Sequence, residues 1–127
     1  MTTKEEIARS LVNCASGTGV VETILAVFGK KARVSIPLSK ELCQSPIDEL
    51  DLSRRSLNGL MRDSCFTVGQ LVDIVNENGL RRIRNIGAGS VSEIKKKLLV
   101  CAYLALNDRE KSAFFLDMIE NNTKRSA

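Results

Sequence analysis

Apolar residues recur every three to four positions along most of the chain, and the breaks between these runs are marked by glycine, proline and capping residues. This period predicts helices throughout. Thr3-x-x-Glu6 reads as a capping box, with Ile7, Leu11, Val12 and Ala15 following on one face. Gly17-Thr-Gly19 interrupts, and "VVETILAVF" gives a second helix closed by Gly29. "ARVSIPLS" alternates and holds Pro37, so an extended linker or short edge strand is expected. "SKELCQSP" is ambiguous, with a helical turn as one reading, and Pro46 marks the start of the main unit.

Beyond Pro46, Ser53 caps a helix from about Arg54 to Arg62. Leu57, Leu60 and Met61 take its inner face; Arg55, Asn58 and Arg62 share the outer one. Thr67-x-x-Gln70 is a second capping box, and Val68, Leu71, Val72 and Val75 continue in helical period until Asn78-Gly79. "LRRIRNIG" reads as a short helix with Leu80 and Ile83 inward. Gly87-Ala88-Gly89 makes a turn, and Ser90 with Glu93 reads as a third capping box. The helix it launches carries Val91, Ile94, Leu98, Cys101 and Ala105 in one stripe, with Asn107-Asp108 as its end. "REKSAFFLDMIE" is a last helix with Phe115, Met118 and Ile119 on one face, expected to pack on the N-terminal helices, and "NNTKRSA" a frayed tail. Three parts are therefore expected: a helical segment and linker over 1–45, a main unit over 46–106, and a C-terminal helix and tail over 107–127. "GTGVVETI" and "GAGSVSEI" share Gly-x-Gly-x-Val-x-x-Ile; two helix-hairpin-helix turns would explain this, and the glycine preference of such turns explains it more simply.

Composition narrows the chemistry. The chain has 127 residues, 43% of them apolar, and no histidine. That is enough for a core and removes the commonest general base. No apolar run approaches the roughly 20 residues of a membrane span, and "MTTKEEIARS" does not resemble a signal peptide. A cytoplasmic protein with no membrane association is expected. Four scattered cysteines (14, 43, 65, 101) without histidine do not form a zinc-site spacing, and they read as small buried hydrophobes. No metal, cofactor or catalytic group is expected. Asp48, Glu49 and Asp51 cluster, but acids beside a helix start ordinarily complement its dipole.

Charge is unevenly placed. The net charge is +4, yet residues 46–80 carry −3 and residues 81–97 carry +5. A concentrated basic segment attracts a polyanion even when the whole is nearly balanced; a solvated helix face explains it as well.

Three stretches in order, "PIDELDLSRRSLNGL", "FTVGQL" and "NIGAGSVSEIKKKL", resemble the C-terminal domain of the bacterial RNA polymerase alpha subunit. They fall within residues 46–99, with one extra residue between Leu71 and Asn85. The resemblance implies an all-α, compact multi-helix domain with a helix-hairpin-helix-like (SAM-like) element. It implies binding to the minor groove of AT-rich duplex DNA, and contacts with sigma factor or an activator. The family's DNA face corresponds here to Arg55, Asn58, Gly59, Gly87, Gly89, Ser90 and Glu93. Two positions depart: Gly59 replaces a residue that is often cysteine, and Gly89 stands where members commonly carry a phosphate-binding lysine. Arg84 and Lys95, with Arg54, are candidates to compensate. The physics is compatible: an arginine reads a narrow minor groove through its enhanced potential, and a helix N-terminus offers amides to a phosphate. The 45 residues before Pro46 are too few for the polymerase-assembly domain, so a free-standing relative, monomeric or weakly dimeric, is expected. The alternative is a protein-interaction adaptor that retains the fold without strong DNA binding.

Overall fold

In a computed structural model, the described residues are 3–29, 34, 36–37, 39–77, 79–84 and 86–125, with the side chains of 123–125 excluded. Most of the expected extended stretch lies outside them, as do Asn78 and Asn85. The described residues form seven α-helices: α1 (Lys4–Thr18), α2 (Val20–Phe28), α3 (Lys40–Gln44), α4 (Arg54–Arg62), α5 (Val68–Asn76), α6 (Ala88–Leu104) and α7 (Asp108–Arg125). Two 3-10 turns, Ile47–Leu50 and Gly79–Arg82, complete the architecture. The fold is all-α; among the described residues the extended pairing is limited to an isolated antiparallel bridge between Pro46 and Thr67.

The protein divides into two compact units. One unit joins Met1–Pro37 to Tyr103–Ala127; the other is Leu38–Ala102. The N- and C-terminal segments thus share one body, and the central unit begins before Pro46. The reason for that earlier start is α3. Ser39 caps it through a hydrogen bond from the Leu42 amide (3.1 Å), and Cys43 lies so close to Gly69 of α5 that any side chain at Gly69 would collide with its sulfur.

In the first unit α7 packs along α1. Ala8, Leu11 and Ala15 are buried on α1, whereas Ile7 stays 38% exposed. The core of this unit holds Tyr103, Phe114 and Phe115, whose rings meet edge to face at 5.2–5.6 Å. Such pairs add to the area that the rings bury. Asn107, expected to end α6, caps the start of α7: its side chain accepts from the Glu110 amide (2.8 Å), and Glu110 accepts from the Asn107 amide (3.0 Å). α6 ends earlier, at Leu104, which leaves Ala105 outside the stripe assigned to it. The expected frayed tail is helical through Arg125.

In the second unit Ile47, Leu50, Leu60, Val68, Leu71, Leu80, Ile94 and Leu98 form the core. Thr67 and Gln70 form a full capping box at the start of α5. α4 departs from its expected inner face. Ser56, Gly59 and Leu60 are buried, Leu57 is half-buried and Met61 is 45% exposed. Small residues face inward because the segment after the second 3-10 turn runs close by: a Cβ on Gly59 would stand 2.9 Å from Ile86 Cγ1. Cys65 is buried, and burial together with the charge of Asp63 pushes its thiol up to about 11. Cys43 and Cys101 are only partly covered and Cys14 is exposed, so the cysteines do not behave as one buried class.

Phe115 is fully buried, so Phe115→Ala is expected to destabilise the protein by about 3–5 kcal/mol, read by chemical denaturation. Tyr103 is buried and its hydroxyl has no partner among the described residues. An unmet buried donor costs about 1–3 kcal/mol, so Tyr103→Phe is expected to leave the melting temperature unchanged or raise it.

Candidate nucleic-acid interface

The site is built where the start of α4 meets the start of α6. Ser53 caps α4, accepting a hydrogen bond from the Ser56 amide (3.3 Å). Across from it, the Gly87 carbonyl accepts the first helical bond of α6, from the Val91 amide (3.0 Å). α6 therefore begins at Ala88, and Ser90 lies inside its first turn. The expected Ser90–Glu93 capping box does not form. Glu93 reaches instead to α4, where its carboxylate accepts from the Ser53 amide (3.1 Å), the Ser53 hydroxyl (2.9 Å) and the Ser56 hydroxyl (2.5 Å).

The Ser56 hydroxyl, then the Ser53 hydroxyl, hold the Glu93 carboxyl below its ordinary range; partial burial opposes this, and the Ser53 amide and Lys97 assist. Hydrogen bonds to the charged form favour it. One turn further along α6, Lys97 donates to the Asp51 carbonyl (2.7 Å) and pairs with its carboxylate (3.3 Å). Asp51 sits in the left-handed region (φ 56, ψ 44) at the end of the first 3-10 turn. Two polar ties thus run from α6 to the few residues that lead into α4.

Around these ties lies an open concavity lined by Ser53, Arg55, Gly87, Gly89, Ser90 and Glu93. Arg55 is exposed in the first turn of α4. Gly87 and Gly89 have open space where a side chain would point. No packing inside the protein therefore explains their lack of one; what it permits is close approach of another molecule to the backbone. First-turn amides have no acceptor within their own helix, and Gly89 and Ser90 lie in that turn.

The other sequence-derived candidates are placed differently. Asn58 is exposed three residues beyond Arg55 on the same face of α4. Gly59 packs inward against Ile86 and floors a second depression with Arg62, Asp63, Ile83 and Arg84. Arg84 thus stands beside Arg62, at the opposite end of α4 from the concavity. Lys95 is exposed, but it follows Ser90 by five residues, about 140° around the helix, and does not line the concavity. Ser56 and Lys97 join the site without having been expected there from the sequence. A serine three residues after a capping serine gives no local signal of a carboxylate arriving from 37 positions away.

Comparison with known proteins agrees with this architecture. The family model for the C-terminal domain of the alpha subunit of bacterial RNA polymerase matches residues 35–99, just over half of the sequence. The chain belongs to this family. Its members are DNA-binding, transcription-associated domains. The match begins ahead of Pro46, as the second unit does. Similar curated proteins include the DNA-directed RNA polymerase subunit alpha of Cutibacterium acnes, 35% identical over 68% of this chain and 29% of that protein. Those of Leifsonia xyli subsp. xyli (49%) and Rubrobacter xylanophilus (42%) each match over 53% of this chain and 20–21% of their own length. The chain therefore spans less than a third of these relatives. No solved structure matches it. No described helix is long and apolar enough to cross a membrane.

The Glu93 tie generates a pH prediction. A carboxyl whose folded pKa is lowered contributes stability that is present above its ordinary value of about 4.3 and is lost as pH falls through the lower folded value. Glu93→Gln should melt below wild type at pH 7, and the gap should close on acidification below about pH 4. Parallel melting curves from pH 7 to pH 3 would remove the carboxylate from this role.

Proposed function

We propose that the second unit is a duplex-DNA-binding module of the transcription apparatus, with the outer face of α4 and the first turn of α6 set against the minor groove of AT-rich DNA. The observation that carries this reading is the concavity that joins an exposed arginine to a helix start with two glycines open to solvent. In it, the Arg55 guanidinium enters the groove, where a narrow A·T tract concentrates negative potential. Asn58, on the same face, meets base or sugar edges. The amides of the first turn of α6 receive a backbone phosphate. The Glu93 charge, which would otherwise repel that phosphate, is turned onto three protein donors.

Sigma factor or an activator is the partner class that family membership suggests for the rest of the surface. Gly89, where a lysine is common in the family, lowers the expected phosphate affinity. An adaptor that binds only protein is the reading that would replace this one.

Arg55 makes no described contact with the core, so Arg55→Ala is expected to keep stability within about 0.5 kcal/mol of wild type. The same change should cost about 1–3 kcal/mol of duplex binding and reduce the preference for AT-rich over GC-rich sites. Titration of both duplexes, with a parallel melt, checks this. Wild-type protein that binds neither duplex at low salt would transfer the function to the adaptor reading.

A further inference from the structure

We propose that the far end of α4 carries a second phosphate site, made by Arg62 and Arg84, which grips the opposite strand of the duplex whose groove Arg55 enters. It rests on the DNA reading above and extends it to both walls of the groove.

The geometry is continuous. Arg55, Asn58 and Arg62 share one exposed face of α4, and the spacing from Arg55 to Arg62 corresponds to about 10 Å of helix rise. Ile83 and Arg84 lie with Arg62, while Gly87 and Ser90 lie with Arg55. α4 therefore has an anion-receptive feature at each end and a polar residue between them. The minor groove is about 6 Å wide. A helix laid across it with Arg55 and Asn58 over the opening puts the start of α6 on one phosphate wall and Arg62 with Arg84 on the other.

Charge supports the same occupant. The second depression has a volume of about 450 Å³ and holds two arginines against one acid. Neither arginine forms an ion pair among the described residues, where the pairing recorded is Lys97 with Asp51. Two guanidinium groups without a recorded ion pair among the described residues, floored by Gly59 and Ile83, suit an external phosphate oxygen, which arginine can bond in bidentate fashion. Asp63 lines the same depression and stays close enough to Cys65 to raise its thiol pKa. Its charge weakens the site, so removing it should strengthen binding.

The test is a fluorescence-anisotropy titration of AT-rich and GC-rich duplexes at four salt concentrations. It uses the full-length protein as wild type, Arg62→Ala, Arg84→Ala, the double variant and Asp63→Asn, each checked for folding by its melt. Each single arginine change is expected to weaken binding to both duplexes by the same factor. Each should lower the magnitude of the salt slope by about 0.9, and the double variant by about twice that. Asp63→Asn should bind both duplexes more tightly than wild type. If the double variant keeps the wild-type slope while Arg55→Ala weakens binding, the second site is overturned and the DNA reading stands. If wild type itself binds neither duplex, both fall together.

Discussion

The carboxylate of Glu93 is the contact on which the rest of the site depends. It leaves the second turn of α6, crosses to the start of α4 and accepts from one amide and two hydroxyls there. The start of a helix is the place where an acceptor is most useful, because unpaired amides and the positive end of the dipole both favour negative charge. α4 thus draws part of its cap from another helix, and the two helix starts are fixed side by side. Arg55 sits two residues beyond Ser53, so its position relative to Gly89 and Ser90 follows from this tie. Lys97 on Asp51 repeats the arrangement one turn along α6, with the charges reversed. Both ties end on residues 51–56, at the entry to α4.

Steric constraint completes what the carboxylate begins. The inner face of α4 is Ser56, Gly59 and Leu60, and the backbone at Ile86 brings its side chain onto Gly59 without room for a methyl group. Close approach at Ile86 leaves Arg84 beside Arg62 at one end of α4 and Gly87 beside Arg55 at the other. The departure from cysteine to glycine at position 59 bears on this packing, not on an exposed surface. Leu57 is half-buried and Met61 is exposed beside that face.

Local patterns were legible where both partners lie within one turn and no equivalent pattern competes. Thr3, Ser53 and Thr67 each accept an amide at the expected offset, and the cores of α5 and α6 follow the apolar period closely. The helical character of the protein and the resemblance of its central part were readable for the same reason. What was hidden depends on distance in sequence or on competition between equivalent patterns. Ser90 and Glu93 have the spacing of a capping box, and nothing local reveals that the carboxylate has three donors on another helix. Asn107 suits a helix end and a helix start equally; Glu110 decides for the start. The membership of α3 in the second unit rests on contacts between residues far apart, whereas the packing of the last helix on the N-terminal helices was readable from its one-sided apolar face. The echo between the two Gly-x-Gly stretches is one of sequence alone. Gly19 adopts φ 110 between α1 and α2, whereas Gly87 and Gly89 need no such conformation.

The most direct measurement is an amide-resolved NMR titration of the full-length protein with a short AT-rich duplex. The largest shifts are expected at Arg55, Asn58, Arg62, Arg84, Gly87, Gly89 and Ser90, with α1 and α7 unaffected. Shifts concentrated on α1 and α7, or duplex binding that leaves α4 and the start of α6 unmoved, would contradict this expectation.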